Sequence, residues 1–97
     1  MEQTELTIVN ELRRMALREY TPAQMLREMI RFLGPGAHKL TLIAQMREAF
    51  GLSLAEASPI AGWSPEATAE VSDARLDELI GPAIRKNGNR WEQEKSD

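Results

Sequence analysis

The chain contains no cysteine and a single histidine among its 97 residues. Without cysteine there is no disulfide, no thiolate metal site and no cysteine nucleophile. His38 lies beside Lys39 in a predicted loop, with no serine or carboxylate close to it in the sequence. We therefore expect it to have no catalytic or metal-binding role. The absences favour a non-enzymatic protein with no metal and no cofactor.

Long apolar runs are also missing. The sequence begins Met1-Glu2-Gln3-Thr4-Glu5, which is acidic and is not followed by the apolar stretch of a signal peptide. No uninterrupted apolar segment approaches the roughly 20 residues that span a bilayer. Hydrophobic residues still make up 42% of the chain, enough for one small core. We expect a single-domain cytoplasmic protein that does not contact the membrane.

Apolar side chains recur mainly at intervals of three and four residues, which is the period of a helix. The pattern predicts an all-α fold, a single small domain of four to five short helices. The helical domain is predicted over residues 1–86, followed by a polar C-terminal tail over 87–97. The predicted core consists of Leu6, Val9, Leu12, Leu26, Met29, Ile30, Leu33, Leu42, Ile43, Met46, Phe50, Leu54, Leu76, Leu79 and Ile80.

Capping signals divide the pattern into helices. Thr21-Pro22-Ala23-Gln24 and Ser53-Leu54-Ala55-Glu56 are both capping boxes, so a helix should begin at Pro22 and another at Leu54. A further helix is predicted from about Lys39 to Phe50, ended by Gly51.

The region after the second capping box is harder to assign. Pro59 should limit or kink the helix that begins at Leu54. Ser72 is a candidate N-cap for a last helix, which Pro82 would bend or end. The stretch 57–71 can be helix or loop, and any strand in the protein is expected there. Trp91 either folds back onto the domain or contacts another molecule.

The net charge of −3 is unevenly distributed. Residues 51–81 contain six acidic residues and only one basic residue, whereas the segments on either side are each close to neutral. A concentrated acidic segment attracts a basic partner and repels phosphate. This distribution predicts binding to a basic protein.

Four of these carboxylates form the sharper hypothesis. Glu66, Glu70, Asp73 and Asp77 are spaced by four, three and four residues and would share one face of a continuous helix. Trp63 would then serve as an aromatic anchor beside them. The alternative is that Ser72 breaks the helix, the carboxylates scatter over the surface, and Trp63 covers the core.

The segment Met46-Arg47-Glu48-Ala49-Phe50-Gly51-Leu52-Ser53, followed by Gly62-Trp63-Ser64, resembles the helix-turn-helix of phage-repressor-type regulators. The resemblance implies a helix-turn-helix-like centre and DNA binding. The helix expected to enter the major groove, over residues 65–71, has two carboxylates and no Arg, Lys, Asn or Gln, the side chains that favour DNA. A DNA-binding role would therefore rest on arginines of the N-terminal half, namely Arg13, Arg14, Arg18, Arg27 and Arg31.

The stretch from Arg47 to Ala57 also resembles a motif, R-x-x-x-G-L-x-L-x-E-A, in the C-terminal domain of the ribosomal stalk protein. That domain is α/β and uses lysine-rich helices to bind translation factors. The corresponding lysines are missing here, and we interpret the similarity as a shared helix–glycine–helix arrangement.

Three function classes follow from the sequence. The leading one is a protein-binding module that engages a basic partner through its acidic C-terminal half, similar to an immunity protein or antitoxin that inhibits a cationic toxin or nuclease. The alternative is a helix-turn-helix-like DNA-binding transcriptional regulator. The third is a small adaptor or self-associating subunit that uses an apolar helix face. The oligomeric state is left open.

Overall fold

The computed structural model describes residues 2–65, 70–89 and 91, with side chains from residue 8 onward. This part of the chain is all-α, as predicted, and forms one small domain with a radius of gyration of 12.4 Å. Short 3₁₀ helices over Gly34–Gly36 and Ser58–Gly62 connect the longer elements. The α-helices in the described ranges are α1 (Glu2–Leu17), α2 (Pro22–Leu33), α3 (Lys39–Phe50), α4 (Leu54–Ala57) and α5 (Asp73–Lys86).

The predicted helix starts are confirmed by their hydrogen bonds. The Thr21 hydroxyl accepts from the backbone N–H of Gln24, whose side chain accepts from the backbone N–H of Thr21. Ser53 and Glu56 form the same reciprocal pair before α4. Each pair satisfies two N–H groups that have no partner inside the helix.

The ends of α3 agree with the prediction, since the helix covers Lys39–Phe50 and Gly51 follows it with φ of 66°. This left-handed conformation favours glycine because it has no Cβ. The last helix begins after Ser72, whose side chain accepts from the Arg75 N–H, as predicted.

The helices pack in two main pairs. α1 lies against α3, and α2 lies against α5. The short α4 and the 3₁₀ helix over Ser58–Gly62 close the space between α3 and α5. The core lies between these elements, and its largest fully buried side chains come from α1, α2, α3, α5 and the stretch 60–63: Trp63, Phe50, Leu12, Met25, Leu26, Met46, Ile60, Leu76 and Ile80.

The predicted core is confirmed at nine positions: Val9, Leu12, Leu26, Met29, Leu42, Met46, Phe50, Leu76 and Ile80. Ile30, Leu33 and Ile43 pack against this core while remaining partly exposed. Leu6 lies outside the described side chains.

Two core predictions are wrong. Leu54 is 62% exposed, because α4 has only four residues and buries Ala57 alone, while neighbouring Leu52 takes the interior position. Leu79 is 39% exposed. The buried face of α5 is formed by Leu76, Ile80 and Ile84 at intervals of four, and Leu79 lies at the edge of that stripe.

The chain continues to pack beyond the predicted domain boundary at residue 86. α5 runs through the exposed Pro82 to Lys86 without ending there. Trp91 then folds back onto the domain and is 4% exposed. Its ring meets Phe50 edge-on at 5.1 Å between centroids, and its Nε1–H donates to the Ile84 carbonyl at 3.0 Å. Of the two alternatives for Trp91, the structure shows the first.

The stretch 57–71 contains no strand among its described residues but does contain an isolated parallel bridge between Trp63 and Val71. The Val71 N–H donates to the Gly62 carbonyl at 3.0 Å. Gly62 permits this approach, because a Cβ there would lie 3.0 Å from Cγ2 of Val71. Of the segment that the helix-turn-helix resemblance assigns to the groove-entering helix, the described residues Pro65, Glu70 and Val71 are not helical.

Candidate functional site

The predicted acidic site lies where the first turns of α5 meet α2. Ser72 caps α5, so that the helix begins at Asp73 and carries Asp77 one turn further along. Residues at this spacing share a helix face. Here that face contacts α2, and both carboxylates have partners on it.

Asp73 is the centre of a small cluster with Trp63 and Arg27, which we call the Trp63 cluster. The Trp63 Nε1–H donates to Asp73 Oδ1 at 2.9 Å, and Arg27 Nη1 donates to Asp73 Oδ2 at 2.7 Å. Arg27 also donates to the Pro65 carbonyl at 2.9 Å and lies 5.3 Å from the centre of the Trp63 ring. The cluster therefore joins α2, α5 and the segment after the 3₁₀ helix.

Asp77 has a different structural role, because it accepts a hydrogen bond from the start of α2. Its Oδ1 accepts from the backbone N–H of Ala23 at 3.0 Å. Ala23 lies in the first turn of α2, where backbone N–H groups have no partner inside the helix and a negative charge is favourable. Asp77 thus caps α2 from another helix, in addition to the cap that Thr21 supplies.

Within the described ranges, two carboxyl groups have a lowered pKa, which favours their ionised form. The pKa of Asp73 is lowered from its ordinary value of 3.8, first by the hydrogen bond from Trp63 and then by Arg27. The pKa of Glu56 is lowered from 4.5, first by the backbone hydrogen bond from Ser53 and then by Lys86 at 3.2 Å. Because hydrogen bonds to the charged form favour it, Asp73 is ionised at neutral pH.

This shift gives a testable pH dependence. A carboxyl group whose pKa is lowered on folding stabilises the protein above its ordinary pKa, and the contribution is lost as pH falls through the folded value. Asp73→Asn keeps an acceptor for Trp63 but loses the ion pair with Arg27. We expect a loss of about 1 kcal/mol at neutral pH, since the pair is partly exposed. The difference from the wild type should shrink as pH falls below 3.8.

Urea unfolding of both proteins over a pH series measures this difference. As a direct control, NMR titration of the Asp73 carboxyl in Trp63→Phe should give a pKa closer to the ordinary value than in the wild type, because the larger of its hydrogen bonds is removed. A stability difference that does not change as pH falls well below 3.8 would contradict the assignment.

The predicted acidic residues are only partly brought together. Asp73 and Asp77 share α5, whereas Glu70 is exposed and precedes the N-cap, so it is not on that helix. Glu66 lies outside the described residues. Trp63 is 1% exposed. Its ring packs in the core, and its Nε1–H donates to Asp73. Among the described residues predicted to bind a partner, the exposed side chains are carboxylates.

The five arginines of the DNA-binding alternative have divided roles. Arg13 is 8% exposed and donates through Nε to the Ala49 carbonyl at 2.8 Å, at the end of α3. Arg27 belongs to the Trp63 cluster. The other three arginines are exposed. Arg14 pairs with Glu11 and Arg31 pairs with Glu28, each within one helical turn. Arg18 lies just after the end of α1.

Two residues that hold the end of α3 were not predicted from the sequence. Arg13 is one, and Asn87 is the other, since its Nδ2 donates to the carbonyls of Phe50 and Gly51 at 3.0 and 3.2 Å. Gly51 does signal in the sequence that a helix ends there and that its last carbonyls need donors. It does not signal which distant side chains supply them.

No protein-family model matches the chain, and no curated protein or solved structure shows significant similarity to it. The two local resemblances therefore extend no further than the segments that contain them. Within the described ranges, no cluster of three or more histidine, aspartate or glutamate side chains is arranged to hold a metal ion. The helices described here include none with the length and apolar character needed to cross a membrane.

Proposed function

We propose that the protein is a non-enzymatic binding module that engages a basic protein through the surface over residues 70–78, as an immunity protein or antitoxin-like inhibitor would. The observation that carries the proposal is the exposure of its carboxylates. Glu70 is exposed, and the side chains of Asp73 and Glu78 are 47% and 70% exposed. We call this stretch the acidic surface.

The charge of the acidic surface supports this function. Residues 70–78 include four acidic residues and one basic residue, Arg75, whose pairing with Glu78 at 3.3 Å is itself exposed. An exposed pair of this kind contributes little and is easily exchanged for a partner's side chain. The lowered pKa of Asp73 keeps that carboxylate charged. Such a surface steers a cationic protein toward itself and raises the association rate.

The underlying contacts support the same role. Trp63 and Arg27 hold Asp73 in one orientation, and the Ala23 N–H holds Asp77. Carboxylates fixed in this way lose less conformational freedom on binding, which favours affinity. An acidic surface held rigidly can occupy the phosphate-binding cleft of a cationic nuclease or toxin, because it presents the charge that the cleft recognises in nucleic acid.

The DNA-binding alternative has less support from the geometry. Arg13 is buried and donates to the backbone, and Arg27 donates to Asp73 and to the Pro65 carbonyl. The described residues of the expected groove-entering segment are not helical and include Glu70. Because DNA binding depends on cations that neutralise phosphates, we do not propose it as a second function.

The test uses Glu70 and Glu78, the two exposed glutamates of the acidic surface. Glu70→Gln combined with Glu78→Gln removes two charges from the acidic surface. Glu19→Gln combined with Glu48→Gln removes two charges from exposed positions elsewhere and is the matched control. Each protein is used as bait at matched salt, and bound proteins are identified by mass spectrometry.

We expect the wild type and the control to capture the same basic protein and the acidic-surface variant to capture about tenfold less, in line with the loss of charge pairs across an interface. Nuclease or toxin activity of that captured protein, measured with and without wild-type chain, then tests inhibition. Equal capture by all three baits, or capture of nucleic acid in place of a basic protein, contradicts the proposal.

A further inference from the structure

A pocket lies where α5 meets the segment that joins α1 to α2. Its volume is about 450 Å³, and small-molecule sites in proteins commonly have about 300–1,000 Å³. The buried side chains of Met25 on α2 and Ile84 on α5 supply apolar lining. An apolar group of a ligand would leave water on contact with them, which favours binding.

Polar groups of both charge signs line the same pocket. Glu19 and Asp77 supply carboxylates, Arg85 supplies a guanidinium and Tyr20 supplies a hydroxyl. In the described part of the chain, the side chains of Glu19, Tyr20 and Arg85 form no hydrogen bond or ion pair. Asp77 accepts from the Ala23 N–H through Oδ1, which leaves Oδ2 for a ligand. Apolar lining with a few converging polar groups is typical of a binding site.

Gly81 makes room for the guanidinium of Arg85. A Cβ at Gly81 would lie 3.5 Å from Nη1 of Arg85, so that Arg85 extends back along α5 by one turn. Asp77 lies one further turn, or about 6 Å, toward the start of the helix. The two opposite charges therefore line the pocket from successive turns without forming an ion pair with each other. A ligand of one charge sign would be attracted at one turn and repelled at the next, whereas a zwitterion matches both.

Glu19 has an unusual backbone conformation for a glutamate. Its φ is 66°, in the left-handed region that favours glycine because glycine has no Cβ. The Tyr20 N–H donates to the Met15 carbonyl and the Glu19 N–H donates to the Ala16 carbonyl, and glycine is the usual residue at a helix end with these hydrogen bonds. Glutamate is less favourable there for the backbone. What it adds over glycine is a carboxylate in the pocket.

We propose that this pocket binds a free α-amino acid with an apolar side chain. The ammonium group of the ligand donates to the carboxylates of Asp77 and Glu19, and its carboxylate accepts from the guanidinium of Arg85. Hydrogen bonds between charged groups are the stronger kind, and the apolar side chain of the ligand packs on Met25 and Ile84. Asp77 is shared with the acidic surface, but the site takes a small molecule and does not depend on the basic partner.

The first experiment varies the ligand. Isothermal titration calorimetry of the full chain uses L-leucine, L-methionine and L-phenylalanine as probes, and we expect at least one of them to bind. For L-leucine, three analogues each lack one group: L-leucinamide the carboxylate, isocaproate the ammonium, and glycine the apolar side chain. Each should bind about tenfold more weakly or less, since each loses a charged hydrogen bond or the apolar contact. A chain that binds none of the three probes at millimolar concentration, or that binds a probe no better than its truncated analogues, overturns the proposal.

The second experiment varies the pocket. Arg85→Gln should weaken binding of the probe by about tenfold or more, because the partner of its carboxylate is lost. Arg75→Gln is the matched control, since Arg75 is an exposed arginine of the same helix and lies outside the pocket. Glu19→Gly should also weaken binding, while its thermal unfolding midpoint stays equal to or above that of the wild type, because glycine suits the left-handed conformation. Equal effects of Arg85→Gln and Arg75→Gln, or unchanged binding by Glu19→Gly, contradict the site.

The variants made for the capture experiment separate the two proposals. The chain with Glu19→Gln and Glu48→Gln should lose affinity for the amino acid while it still captures the basic protein. The chain with Glu70→Gln and Glu78→Gln should show the opposite pattern, because neither residue lines the pocket. If both pairs of substitutions changed amino-acid binding equally, the ligand would be responding to overall charge and the pocket would not be its site.

Discussion

Replacement of Trp63 by alanine is expected to lower the free energy of unfolding by about 3–5 kcal/mol. The side chain is 1% exposed and is among the largest fully buried groups in the protein. Its removal leaves a cavity. The substitution also removes the N–H that donates to Asp73 and the aromatic ring that lies beside Arg27. A small domain has about 5–15 kcal/mol of stability in total, so this single substitution should remove a large part of it.

Urea unfolding followed by far-ultraviolet circular dichroism measures this loss without relying on tryptophan fluorescence. The control is Trp63→Phe, which retains most of the apolar contact and loses the Nε1–H. We expect it to cost about 1–2 kcal/mol, close to the value of a hydrogen bond to a charged group. If Trp63→Ala and Trp63→Phe were equally destabilising, the hydrogen bond and not the packing would dominate. If neither changed stability by more than about 0.5 kcal/mol, the range of a surface substitution, Trp63 would not be a core residue in solution.

The second large effect is expected at Arg13. Arg13 is 8% exposed, and its side chain lies at the end of α3. The guanidinium donates to the carbonyls of Ala49 and Glu48. Arg13→Ala removes those donors and leaves a buried carbonyl without one of its partners. We expect a loss of about 2–3 kcal/mol, because an unsatisfied buried polar group and lost packing of the arginine stem both contribute.

The adjacent arginine supplies a matched control. Arg14 is 56% exposed and pairs with Glu11 within α1, and Arg14→Ala should change stability by no more than about 0.5 kcal/mol. Thermal unfolding of the two variants under one buffer condition compares them. Arg13→Lys adds a further test, since lysine keeps the charge but cannot donate in the fork geometry of a guanidinium. Similar results for Arg13→Ala and Arg14→Ala would show that the helix end does not depend on Arg13.

Several helix starts, and the end of α3, could be predicted from the sequence because their signals are local. Thr21 with Gln24 and Ser53 with Glu56 lie three residues apart, within reach of side chains on a single turn. Gly51 follows α3 directly. The helical period of the apolar residues likewise predicts an all-α fold, since each helix must bury one face.

Solvent exposure was less predictable than helix position. Leu54 and Leu79 match the apolar period but lie at the surface. Whether such a residue is buried depends on which neighbouring element lies opposite it, and a periodic pattern has no information on that.

The candidate site illustrates the same difference more sharply. The concentration of acidic residues over 51–81 was visible in the sequence. Their partners were not, because Arg27 contacts Asp73 from 46 positions away and the Ala23 N–H reaches Asp77 from 54 positions away. The same holds for α3, whose end is held by Arg13 and Asn87 from 36 and 37 positions away.

The sequence by itself determined the helices, their caps and the uneven charge, because hydrogen bonds within one turn and the repeat of apolar side chains depend only on near neighbours. The tertiary structure alone decided that Trp63 and Asp73 face each other, that Asp77 caps α2 and that Glu19 and Arg85 line one pocket. These depend on the way helices pack, which is set by the shape of the whole core rather than by any single segment.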